Sequence, residues 1–110
     1  MNVEQVIKVI KSRPGMHVGC LDLDPIFHYI NGFMFNNTVS NNVDNVEAMF
    51  KERFDEWVRI RLEKEKNIKM EEHHCYLYYF KQVCSDPQER LDIFFEFCET
   101  FFGEIQGVKS

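Results

Sequence analysis

The stretch Asp86–Gly103 reads DPQERLDIFFEFCETFFG, and it decides the fold class. Asp86 is placed to cap a helix, Pro87 suits the first turn, and Glu89 stands at the third position of a capping box. Leu91, Phe94, Phe95, Cys98, Phe101 and Phe102 then recur at three- and four-residue spacing, one apolar stripe of a helix expected to stop at Gly103. Ile93 and Phe97 widen that arc beyond what a single neighbour covers, so this helix is central to the fold or partly covered by a partner.

Working outward, the same period recurs along the chain. Val3, Val6, Ile7 and Ile10 make residues 2–12 a short amphipathic helix, closed by Arg13-Pro14-Gly15. Asp24-Pro25 predicts a second start, acidic cap then proline, with Ile26, Phe27, Ile30, Phe33 and Met34 as its inner face. Gly32 within this helix costs about 1 kcal/mol relative to alanine and implies a close crossing by another backbone or ring. Residues 36–45 (NNTVSNNVDN) read as a loop. Asp44 and Glu47 form the next capping box, opening a helix to Glu65 that buries Met49 or Phe50, Phe54, Trp57, Val58 and Arg61 or Leu62. The run EKEKNIK is a solvated helix end and connector. HHCYLYYFKQVC predicts a helix with Cys75, Tyr79, Phe80 and Val83 inward, although Tyr76, Tyr78 and Phe80 also alternate as in a strand. The expected architecture is one all-α domain over residues 1–110 with about five helices; the alternative is α+β with a short hairpin around residues 74–82.

Composition narrows the function classes. The chain has 110 residues, 45% of them hydrophobic and 28% charged, with eleven Phe, four Tyr and one Trp. This is the make-up of a soluble globular domain with an aromatic core. A formal net charge of −5 argues against unaided nucleic-acid binding and against an anionic membrane surface, and favours a cationic protein partner. No secretory signal or spanning apolar run is visible, so the expected location is cytoplasmic, with Cys20, Cys75, Cys84 and Cys98 as free core thiols. No cofactor is implied. His73, His74 and Cys75 are adjacent, and neighbours on a helix point about 100° apart, so no metal site follows from them. His28 reads as a half-buried surface histidine. Cys20 beside His17 lacks any recognisable oxyanion donor, which favours a buried thiol over a nucleophile.

The segment Ser12–Phe33, SRPGMHVGCLDLDPIFHYINGF, is the densest in residues chosen for backbone geometry. Its Arg13-Pro14-Gly15-Met16-His17-Val18-Gly19 resembles the RPGMYIG stretch in the ATP-binding region of DNA gyrase B subunits. That resemblance stops near residue 36 and places Gly32 where the catalytic glutamate should stand, so ATPase chemistry is rejected. A second resemblance covers nearly the whole chain: small bacterial immunity proteins of polymorphic or contact-dependent toxin systems. It is carried by the same turn, by Tyr29-Ile30-Asn31-Gly32-Phe33, by Phe54-Asp55-Glu56-Trp57, and by Ile93-Phe94-Phe95 through Phe101-Phe102. His17 and Phe33 stand where those proteins carry tyrosines. The resemblance implies a non-enzymatic protein that neutralises a cognate toxin domain by stoichiometric occlusion. It also implies a structural role for Arg13, Pro14, Gly15, Met16, Gly19, Gly32 and Trp57.

Asp92, Glu96 and Glu99 fall at i, i+4 and i+7 and share a stripe opposite the Phe face. Such a stripe is either a solvated face or an anionic patch that steers a basic toxin, a nuclease-type domain for instance, with Glu71 and Glu72 as an extension. A different class of reading is a small adaptor that binds a peptide or helix, or a homodimer through the Phe-rich C-terminal helix.

Overall fold

A computed structural model describes residues 1–12 and 22–107. The turn carrying Arg13, Pro14, Gly15, Met16 and Gly19, together with His17 and Cys20, lies outside the described residues. The described residues form five helices and no strand: α1 Val3–Ser12, α2 Leu23–Val39, α3 Asn45–Lys66, α4 Tyr76–Val83 and α5 Pro87–Ile105. The all-α reading therefore holds, and residues 76–83 are helix rather than one arm of a hairpin.

Helix α5 packs against all four other helices. Its Phe94, Phe95, Phe97, Phe101 and Phe102 are buried, so the Phe-rich face considered for pairing with a second chain is instead the floor of the chain's own core. Phe54 of α3 is the hub, its ring against those of Phe50, Trp57, Tyr76, Phe94 and Phe101 at centroid separations of 4.6–6.4 Å. Rings this size bury about 150–250 Å² each, and their edge-to-face pairs add to that burial.

Several helix ends differ from the sequence reading, each for a local reason. Helix α2 is capped by Asp22, whose Oδ1 accepts from the Leu23 N–H at 2.7 Å, two residues before the expected Asp24. Pro25 then sits in the first turn, where its missing N–H has no partner to lose. Asp24 is free to pair with Lys81 of α4 at 2.7 Å. The helix also runs on through the Asn-rich segment to Val39, because those polar side chains find partners. Asn37 Nδ2 donates to Glu47 Oε1 at 2.7 Å, and Lys51 Nζ donates to the Thr38 hydroxyl at 2.9 Å. Asn41, at φ 60°, then ends it: the Asn42 and Asn41 N–H groups donate to the Asn37 and Thr38 carbonyls. Helix α5 likewise passes Gly103 and ends at Ile105, the left-handed residue being Gly107 at φ 67°.

Two charged side chains are inside. Glu47 is fully buried, reaching inward to Asn37 rather than back over its own helix end, and its Oε2 lacks a partner among the described residues. Arg59 is buried on α3, donating to both oxygens of Glu56 and to Glu63 Oε2 at 2.9 Å. Glu63 also accepts the Met70 N–H at 2.7 Å, which ties the connector between α3 and α4 down onto α3. That connector is pinned twice more, since the Tyr79 hydroxyl accepts from His74 N–H and donates to the Glu71 carbonyl at 2.6 Å.

Candidate functional surface

Asp92, Glu96 and Glu99 all stand exposed on the outer side of α5, as their spacing predicts. The turn that orients them is set by Asp86, which accepts the Glu89 N–H at 2.9 Å, and by the aromatic face that fixes the helix's rotation. Beside the stripe runs a shallow groove between α5 and the end of α1, with Leu91 and Phe95 in its wall and Lys11 at its edge. Glu99 faces Lys11 at 3.9 Å, and Asp92 accepts from Gln88 Nε2 at 2.9 Å. Among the described residues no cation pairs with Asp92 or Glu96.

Glu71 and Glu72 do not extend this stripe. They lie in the connector before α4, where Glu71 meets His74 Nε2 at 3.0 Å, Glu72 meets His73 at 4.0 Å, and Lys69 lines the same hollow. Among the described residues no hydrogen bond or ion pair joins these glutamates to α5.

Trp57 is half-buried and structural. Its ring packs against Phe97 and Phe101, its Nε1 donates to Glu104 Oε1 at 3.0 Å, and the Arg61 guanidinium lies over it at 5.3 Å. Gly32, by contrast, is exposed, and a Cβ placed there would meet nothing within 4 Å. The close crossing inferred from sequence is absent within the described part of the protomer. His28 is exposed rather than half-buried.

The titratable groups with displaced pKa values belong to the framework. Burial raises the Asp55 carboxyl, against the opposing pull of the Tyr76 N–H that its Oδ1 accepts at 2.8 Å. That hydrogen bond caps α4 from the side, because Cys75 at the cap position offers no side-chain bond of its own. Glu63 is lowered, chiefly by the Met70 N–H and then by Arg59 and Lys69, and Glu56 is lowered by Arg59. Burial pushes the Cys84 and Cys98 thiols up; these and Cys75 are free. Among the described residues no three His, Cys, Asp or Glu side chains gather as a metal site. No described helix is long and apolar enough to cross a membrane.

Sequence reasoning passed over one surface. Phe35 and Val39 of α2 are each 70% exposed, one turn apart. The signal for it was the absence of charge: no Asp, Glu, Lys or Arg occurs from Pro25 to Val43.

No protein-family model, curated protein or solved structure matches the chain.

Proposed function

We propose that this chain is a non-enzymatic immunity protein that neutralises a cognate toxin domain by binding and covering it one to one. The observation that carries this reading is the outward stripe of Asp92, Glu96 and Glu99 along a groove floored by the buried Leu91 and Phe95, with no cation paired to Asp92 or Glu96 among the described residues. In this mechanism the stripe accelerates encounter with a basic toxin face, and the groove accepts a side chain of the toxin once water is displaced. The resemblance to the immunity proteins of polymorphic toxin systems supports the same role, as does the net charge of −5.

The experiment is a binding titration against the toxin domain encoded by the adjacent reading frame. A one-to-one complex that forms at micromolar concentration or below, suppresses the toxin's activity and weakens as salt rises is the expected result. Absence of any complex at that concentration removes the proposal.

A further inference from the structure

We propose that the chain also pairs with a second copy of itself through the outer face of α2, the two helices crossing at Gly32. The face carries no Asp, Glu, Lys or Arg, and nothing among the described residues covers it. His28, Gly32, Phe35 and Val39 are all exposed, and they recur at four, three and four residues, the spacing of a seam between two helices. Gly32 has no explanation inside the described protomer: nothing lies within 4 Å of its would-be Cβ, yet glycine in a helix interior weakens that helix relative to alanine. At a crossing point the missing side chain lets a partner helix come closer than the usual separation of about 8–10 Å.

Charge identifies the occupant. In a two-fold pair each residue near the axis faces its own copy, so any carboxylate on the face would meet a carboxylate. In a chain that is 28% charged, α2 presents no charged side chain after Asp24. That suits a second acidic chain and offers nothing to a cationic one. The contact is narrow, since a helix of 17 residues spans about 25 Å. It falls at the low end of interface sizes, where association is weak and transient. Two chains of net charge −5 repel across this neutral seam, so added salt strengthens the pairing. A complex held by Asp92, Glu96 and Glu99 responds to salt in the opposite sense. The pairing does not rest on the immunity reading, because the two surfaces share no residue.

The test is sedimentation of the full chain from about 10 to about 500 µM, at low and high salt, spanning the range expected of a small interface. The mass should climb from 13.2 kDa towards twice that value, and do so earlier at high salt. Phe35→Glu should hold the chain at the monomer mass throughout with an unchanged melting temperature. Val39→Lys gives the same readout should the first variant fold poorly. Gly32→Cys should form a disulfide-linked dimer on mild oxidation, well above the background of the wild-type chain and of Ile60→Cys, a control on α3 at a position 51% exposed. A wild type that stays monomeric at every concentration overturns the proposal, as does a dimer that both α2 variants leave intact. A monomeric wild type whose toxin binding is lost in Phe35→Glu would overturn it too, assigning the face to the toxin instead.

Discussion

The outer faces of α2 and α5 rest on one core and share almost no chemistry. Both helices bury an apolar stripe, Leu23, Ile26, Ile30 and Met34 on α2 and five phenylalanines with Leu91 and Cys98 on α5. Outward, α5 shows Asp92, Glu96 and Glu99, whereas α2 shows Phe35 and Val39 with no charge after Asp24. The carboxylates of the α5 row repel one another, whereas the Phe35 ring on α2 stands in water without a described neighbour over it. The contrast is one of charge on a common core, and it is the ground for proposing a different neighbour for each face.

The largest test removes the support they share. Phe54→Ala takes away the ring that touches both α4 and α5, at a cost of about 3–5 kcal/mol. Denaturant melts should show that loss, and both binding behaviours should fail together. Next, reversing Asp92, Glu96 and Glu99 to lysine should slow association with the toxin domain by about tenfold or more and flatten its salt dependence, leaving the melting temperature nearly unchanged. Stopped-flow mixing at two salt concentrations checks it, and the α2 variants should not move this rate. A smaller effect divides the faces through their glycines. Gly32→Ala and Gly103→Ala each have open space for a methyl, so each should stabilise the monomer by about 0.5–1 kcal/mol. Self-association should change for Gly32→Ala alone.

The smallest effect lies beneath both faces. Because the folded Asp55 carboxyl is raised, its contribution to stability is full below the ordinary carboxylate range and is lost as pH rises through the raised value. Glu56 and Glu63 act in the opposite sense: their contribution is present above the ordinary range and falls away as pH drops through their lowered values. Asp55→Asn keeps an oxygen for the Tyr76 N–H and removes the half-buried charge. It should therefore stabilise the fold at pH 7 and give no such gain near pH 4, as read from urea midpoints at the two values.

How much of this was written in the sequence depends on whether the deciding partner was local. The cap at Asp86 and the period from Leu91 to Phe102 are local, so α5 and the all-α class were legible, and so was the common direction of Asp92, Glu96 and Glu99. The end of α2 was not, because Asn37 and Thr38 are held by Glu47 and Lys51 from the next helix, and an isolated Asn-rich run reads as a loop. Burial of Arg59 escaped notice although Glu56 and Glu63 sit at helical spacing from it, because the same pattern describes a solvated row of ion pairs. Glu71 and Glu72 looked like an extension of the acidic row only while the path of the chain between α3 and α4 was unknown. On α2, Met34 points inward, as its four-residue spacing from Ile26 and Ile30 predicts. Phe35, about 100° further round, had to point elsewhere, and only the folded chain shows that nothing of its described residues covers it.

The tether of Met70 to Glu63, with the Tyr79 hydroxyl bridging His74 and Glu71, has a consequence for how the chain meets proteases. Lys66 and Lys69 flank the bend and would invite trypsin in a slack linker, since cleavage requires the backbone to be drawn out and threaded through the enzyme's cleft. Here the main-chain groups that must be surrendered are already engaged, so nicking at Lys69 should wait on breakage of the Glu63 bond. Glu63→Gln should hasten the cut there before it alters digestion anywhere else.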